Sequence, residues 1–401
     1  MTVVLDSSRL RQQDGCTCRK IERLLVCVKR AFAGCLTSLA MTIAAHADAL
    51  LDDAVAFNGQ ILHLQTDVPG LLFAAIRDGD VAVAGFGETK RGNGITPDGD
   101  TVLRLGSITK VFTGEMLAQA VSRDEVGFTD QIGPLLPPKL ATALEKHPPI
   151  RLIDLVTHSG GLPREVPRAS SPQDDPFKTI TLDAFADWLR DTPLLFAPST
   201  SIAYSNFGFD LLSAGLSTAG GAAYEDLLAE RITGPLKMED TGFVVSAEMA
   251  DRLMTGHAPD GTPMLEVPSG KVITGSGGLR STTNDLLKWV QWHLADTEDQ
   301  AEVRFLDHAT YVQRDGMQTV LSMDESDRMD AMGLAWVVMN ETDEHPFVLQ
   351  KAGALQGQMS YLAFAPEHGT AVFVSINQFD FSAAYAMTEL ANELLANLSG
   401  Y

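Results

Sequence analysis

Gly106-Ser107-Ile108-Thr109-Lys110, running on into Val111-Phe112-Thr113-Gly114-Glu115-Met116, is the stretch around which the rest of the chain can be ordered. Positions three apart on a helix share a face, so a helix here sets the Ser107 hydroxyl one turn from the Lys110 amine. Gly106 suits a tight entry into that helix, and Ile108, Val111, Phe112, Met116 and Ala120 supply a buried stripe. Ser107 then lies at the helix N-terminus, where N–H groups without intrahelical partners and the helix dipole favour developing negative charge. Serine and lysine are common residues, so the pair alone identifies nothing. Its meaning comes from what flanks it.

On the N-terminal side, residues 50–64 read as a short helix, and residues 70–77 and 81–87 as two strands joined by a hairpin turn at Asp78-Gly79. Near the C-terminus, residues 347–352, 359–365 and 370–376 read as three more strands, and 382–398 as a closing helix. Helical patterns occupy 108–122, 181–190, 206–218, 223–232 and 282–295, with loops rich in Pro and Gly between them. Thr282-Thr283-Asn284-Asp285 has the form of a capping box, which makes residues 275–281 a loop. Strands from both ends with helices between them predict an α+β fold, in which one antiparallel sheet is built from the two chain ends around an inserted, mainly helical domain. The expected division is 48–100 with 270–401 for the sheet and 101–269 for the helices. The Ser107 helix begins at the handover, a natural place for a cleft.

The chain has 401 residues and a formal net charge of −22, unevenly spread. Residues 1–47 carry seven Lys/Arg against three Asp/Glu, and the other 354 carry 23 against 49. So acidic a body repels nucleic acid and anionic lipid. The only cysteines, Cys16, Cys18, Cys27 and Cys35, all lie in the basic segment. Lys29-Arg30 precedes an apolar run over 31–45, and Ala45-His46-Ala47 and Ala47-Asp48-Ala49 fit small-x-small cleavage. Residues 1–47 are therefore expected to be a signal peptide with an upstream extension, cleaved near Ala47 or Ala49. The 28 residues before Lys29 are long for a signal n-region, which places the expected translation start near Val26 or Val28. The mature chain then has no cysteine and no transmembrane domain.

Two further elements complete the chemistry. Tyr204-Ser205-Asn206 precedes a helix, and in extended backbone residues two apart point the same way. Lys351-Ala352-Gly353 follows an apolar run, with Lys351 projecting an ammonium and Gly353 allowing close approach to the backbone. Ser107 needs a base in order to act as a nucleophile. Lys110 must fall about three units from its usual ~10.4 to serve near neutrality, roughly 4 kcal/mol. Desolvation, the helix end and Lys351 all push that way, and the same cations favour a Tyr204 phenolate, so both residues stand as candidate bases. Backbone N–H groups of Ser107 and Ala354 are the candidate oxyanion donors. Singly, Tyr204 reads as a packing residue, Asn206 as an N-cap, Lys351 as a solvated strand end and His158 as a loop organiser. The histidines form no HExxH, and no P-loop, dinucleotide fingerprint or G-x-S-x-G elbow is complete, so no metal and no cofactor are expected.

In order along the chain, Ser107/Lys110, Tyr204/Asn206 and Lys351/Gly353 resemble the Ser-x-x-Lys, Tyr-x-Asn and Lys-Thr-Gly elements of the serine β-lactamase-like and penicillin-binding hydrolases, in the class C β-lactamase group. The similarity extends to Arg104-Leu-Gly-Ser107, Leu155-Val-Thr-His-Ser-Gly-Gly-Leu-Pro163 and Gly277-Gly-Leu-Arg-Ser-Thr282, and spans roughly residues 55–398. Gly87-Glu-Thr-Lys-Arg-Gly-Asn93 and Pro163-Arg164-Glu165 look most like the periplasmic D-alanyl-D-alanine carboxypeptidase/endopeptidase (AmpH-type) branch. The resemblance implies a β-lactamase/transpeptidase-like fold and a periplasmic serine hydrolase that works through a Ser107 acyl-enzyme. It implies catalytic roles for Ser107, Lys110 and Tyr204, and substrate contacts from Asn206, Lys351, Gly353 and the Ala354 N–H. The implied partners are peptidoglycan stem peptides ending in D-Ala-D-Ala, and β-lactams. Ala352 departs from the family's Lys-Thr-Gly, whose threonine hydroxyl helps hold a substrate carboxylate. That departure keeps a family VIII-type carboxylesterase as an alternative, ahead of a class C β-lactamase with the same Ser/Lys/Tyr set and a non-catalytic binding module.

Overall fold

The computed structural model describes residues 49–321, 323 and 329–401; the expected export segment and all four cysteines lie outside the described residues. Among the described residues the strands are β1 (Gly70–Arg77), β2 (Asp80–Gly87), β3 (Val102–Arg104), β4 (Ile202–Ala203), β5 (Arg280–Thr282), β6 (Val312–Gln313), β7 (Val320–Leu321), β8 (Ala331–Met332), β9 (Val337–Met339), β10 (Val348–Leu355), β11 (Gln358–Ala365) and β12 (Thr370–Ile376). The helices are α1 (residues 49–66), α2 (Thr109–Ser122), α3 (Pro138–Leu144), α4 (Leu152–Val156), α5 (Leu182–Asp191), α6 (Asn206–Gly220), α7 (Tyr224–Leu228), α8 (Ala247–Ala250), α9 (Thr283–Leu294), α10 (Ala301–His308) and α11 (Phe381–Ser399).

The main sheet runs β2-β1-β12-β11-β10-β9-β8-β6 and is antiparallel throughout. Its two ends of the chain meet where β1 pairs with β12, Leu71 opposite Ile376. The Asp78-Gly79 turn has both residues at positive φ, the geometry a two-residue hairpin needs. β1 reads as an unbroken apolar run because both of its faces are covered. Leu72, Ala74 and Ile76 join the core against the helical layer, whereas Leu71, Phe73 and Ala75 join a second core closed by Leu51, Val55 and Leu62 of α1 and Met387, Ala391 and Leu395 of α11. Strand periodicity thus splits one segment between two cores. Residues 51–401 form one compact unit. Among the described residues no helix is long and apolar enough to cross a membrane.

Two local expectations change. α2 has no polar face: every residue from Thr109 to Ala120 is buried, because the helix runs through the centre of the helical layer. Residues 275–281 are not loop throughout, since Arg280–Thr282 is strand β5, paired with β3. Thr282 does cap α9, its hydroxyl accepting the Asp285 N–H at 3.2 Å.

Candidate active site

Ser107 lies in a single 3-10 turn, Gly106–Ile108, that leads directly into α2. That turn packs on an opened edge of the sheet. β9 pairs with β10 only over Val348–Gln350, and from Lys351 onward the nucleophile turn takes its place. A Cβ on Gly353 would meet Leu105 O at 2.1 Å and Ile108 N at 3.1 Å. Gly106 sits at φ +51, and a Cβ there would meet the Ala354 backbone N at 2.7 Å. The glycines let two backbones touch, which brings Ser107 beside Ala354 at the floor of one cavity.

Lys110 and Lys351 are both fully buried, as is Tyr204. Burying an ammonium costs several kcal/mol unless acceptors replace its water. Lys110 Nζ donates to Asn206 Oδ1 at 2.7 Å and to the Ser276 carbonyl at 2.6 Å, and stands 3.3 Å from Ser107 Oγ. The Tyr204 hydroxyl donates to Ser107 Oγ at 2.5 Å. Three cations surround the Tyr204 ring: Arg164 at 4.6 Å, Lys110 at 4.8 Å and Lys351 at 5.1 Å from its centroid. Such a cage favours negative charge on the phenol oxygen.

All the residues singled out from the sequence are therefore brought together, and several supports were not legible there. Ser205, not Asn206, caps α6, accepting the Gly208 N–H at 2.9 Å, which leaves the Asn206 amide for the site. Glu165 accepts the Asn206 Nδ2 at 2.6 Å and so fixes the orientation that aims Oδ1 at Lys110. Lys351 is no solvated strand end; it sits inside β10 and is buried. His158 organises its loop: at φ +59 its Nδ1 accepts the Ser205 N–H at 3.0 Å and its ring stacks on Tyr204 at 4.6 Å. Desolvation, and then Lys351, Lys110 and Arg164, hold His158 well below the usual histidine range, so it is neutral. Asp210, one turn along α6 from Asn206, is buried, and desolvation raises its carboxyl well above the usual range, against opposing Ser276 hydrogen bonds and Lys110. Asn377, just after β12, latches the start of β1 to the loop after β2, its Oδ1 accepting the Gly70 N–H and its Nδ2 donating to Glu88 O and Thr89 O.

A serine at a helix start, two polar side chains on its oxygen and a packed strand backbone are the parts of an acyl-transfer site. Comparison with known proteins agrees, for the Beta-lactamase family matches residues 43–396. The chain belongs to the beta-lactamase family. This beta-lactamase-family protein is 32% identical over 335 residues to D-alanyl-D-alanine-carboxypeptidase/endopeptidase AmpH of Escherichia coli, covering 82% of this chain and 85% of that one. It is 26% identical over 345 residues to penicillin-binding protein 4 of Amycolatopsis lactamdurans, covering 84% of this chain and 88% of that one. Among solved structures, a beta-lactamase/D-alanine carboxypeptidase from Yersinia pestis complexed with citrate superposes with a TM-score of 0.77 at 32% identity, covering 87% of this chain and 99% of that one. The protein is accordingly a serine hydrolase of the beta-lactamase family with an antiparallel sheet and a helical layer.

Proposed function

We propose that this protein removes D-alanine from peptidoglycan stem peptides in the periplasm, after loss of residues 1–47, through an acyl-enzyme on Ser107. The observation that carries the reading is the placement of Ser107 Oγ between Tyr204 OH at 2.5 Å and Lys110 Nζ at 3.3 Å, with Ala354 packed against its turn. An ammonium has three N–H donors, and Lys110 faces three acceptors: Ser107 Oγ, Asn206 Oδ1 and Ser276 O. Lys110 acts as that ammonium, which assigns the proton of Ser107 to a Tyr204 phenolate held in the cation cage. In the reactive form this bond reverses, with the serine hydroxyl donating to the phenolate.

Ser107 Oγ attacks the carbonyl carbon of the penultimate D-Ala, and its proton passes to Tyr204. The oxyanion is held by the Ser107 and Ala354 N–H groups. Collapse breaks the C–N bond, and Tyr204 returns the proton to the leaving D-Ala amine. Water then attacks the ester with Tyr204 as base, releasing the shortened peptide and restoring the serine. Asn206 and Lys351 orient the substrate and the ring charges. Penicillins, whose strained amide meets the same nucleophile, acylate Ser107.

A second reading rests on the cavity beside Ser107. It has a volume of about 470 Å³, and its lining mixes Met359, Met387 and Phe381 with Arg164, Ser360 and Thr388, Ala352 standing among them. The missing threonine hydroxyl removes a donor to a free carboxylate, which favours neutral esters. The test presents a D-Ala-D-Ala muropeptide and a short p-nitrophenyl ester to parent and Ser107→Ala protein. D-Ala release lost in Ser107→Ala supports the peptidase reading. Ester turnover without D-Ala release replaces it with the esterase, and full activity of Ser107→Ala overturns both.

A further inference from the structure

Behind α2, away from Ser107, lies a second cluster of chemistry-bearing side chains. His293 of α9 and Asp307 and His308 of α10 offer one ligand atom each, and these atoms all lie within 4.8 Å of one another. His293 Nδ1 is 2.9 Å from His308 Nε2 and 3.8 Å from Asp307 Oδ2. Two imidazole nitrogens and a carboxylate converging in this way form a donor set suited to a borderline transition-metal cation. The 2.9 Å pair is a hydrogen bond between the two rings, which an ion taking both nitrogens would replace; donors 2.0–2.2 Å from one tetrahedral ion lie roughly 3.3–3.6 Å apart, so the rings would part by about half an ångström.

The shell around the three is also ordered as a metal site requires. Asp307 is fully buried; its Oδ2 accepts the Trp336 indole N–H at 2.8 Å, while Oδ1 has no hydrogen-bond partner. The other nitrogen of His293, Nε2, is likewise buried without a partner and faces Glu115 Oε2 of α2 at 4.0 Å. Glu115 is in turn pinned by the Trp289 indole N–H at 2.7 Å. A ligating histidine usually presents its second nitrogen to a carboxylate, which fixes the tautomer and the ring. Among the described residues no lysine or arginine pairs with either of these wholly buried carboxyls, which leaves their oxygens open to a cation. The nearest cationic side chain packed here, Arg304, donates instead to the Thr297 and Asp299 carbonyls. His308 is the partly exposed member and marks the way in. The three ligands come from two helices, with fourteen residues between the two histidines, so no local motif announces them.

We infer that His293, Asp307 and His308 bind one divalent transition-metal ion, with zinc as the best match, backed by Glu115 through His293. The ion would tie α9 and α10 to α2, the helix that carries Lys110, and so brace the nucleophile from behind. This site is independent of the catalytic reading and stands if that reading fails. The test measures Zn²⁺ binding to metal-stripped full-length parent, His308→Gln and Glu115→Gln by titration calorimetry and by elemental analysis after desalting. His308 is at the rim, so His308→Gln is the variant that keeps the fold, checked by circular dichroism. The parent is expected to hold one equivalent more than His308→Gln, whatever the cysteines bind, and its melting temperature rises with Zn²⁺ where that of His308→Gln does not. Glu115→Gln weakens the affinity 10- to 100-fold. Equal stoichiometry and equal thermal response in parent and His308→Gln overturn the inference.

Discussion

Replacing Gly106 by alanine perturbs the contact that sets Ser107 on the strand. The new Cβ would meet Ala354 N, C and O at 2.7, 2.8 and 2.9 Å, all backbone atoms of a strand paired to β11, with no flexible side chain to yield. The residue must also hold φ +51, a left-handed conformation that costs an L-residue roughly 1–2 kcal/mol. Overpacking against a rigid neighbour adds about 1–3 kcal/mol. Gly106→Ala is therefore expected to lose about 2–5 kcal/mol of stability, or to move the turn off β10 to escape the clash. A displacement approaching 1 Å costs about 100-fold in rate. Urea unfolding gives the first quantity and the acylation rate with a fluorescent penicillin gives the second. Gly133→Ala, where nothing lies within 4 Å of the new Cβ and φ is not positive, is the control and should change neither. A Gly106→Ala protein as stable and as fast as the parent would refute the backbone contact as the device that positions Ser107.

Tyr204→Phe keeps the ring stacked on His158 at 4.6 Å but removes the oxygen beside Ser107, so acylation should fall by about 10²- to 10⁴-fold with the fold intact; a rate within tenfold of the parent would count against Tyr204 as base. Neutral burial of His158 makes stability sensitive to acid. The unfolded state takes a proton as pH falls below about 6.5 and the folded state does not, so the contribution is complete above that value and is lost below it. At pH 5 the loss from this group is about 2 kcal/mol. Urea unfolding at pH 7 and pH 5 should show it, and His158→Gln should lose that much less across the interval; equal losses would contradict the assignment. Ala352→Thr restores a hydroxyl in the cavity beside Ser107, and one net hydrogen bond of about 1–1.5 kcal/mol should raise D-Ala release relative to ester turnover roughly tenfold. An unchanged ratio would show that position 352 does not contact the substrate carboxylate.

The parts of the fold that sequence made legible are those where periodicity and local chemistry agree with the tertiary outcome. The β1–β2 hairpin, the three C-terminal strands and helices α2, α6, α9 and α11 all fall where pattern and turn residues place them. The sheet built from both chain ends follows from those strands. β5 escaped notice because a three-residue strand takes its identity from its partner β3 rather than from its own composition. The all-buried α2 escaped because its polar residues, Thr113, Glu115 and Gln119, are satisfied inside the protein, which composition does not reveal. In the site, side chains with spacing were readable. The Ser276 carbonyl was not, since any residue supplies one, nor was Glu165, whose role exists only because Ser205 takes the capping position.

The central claim is that Ser107 Oγ becomes covalently acylated. Brief incubation of the full chain with benzylpenicillin, acid quenching, proteolysis and peptide mass spectrometry locate any adduct. The penicilloyl mass on the peptide containing Ser107, absent from Ser107→Ala, is the predicted result. An adduct on any other residue, or hydrolysis that continues in Ser107→Ala, would contradict the account.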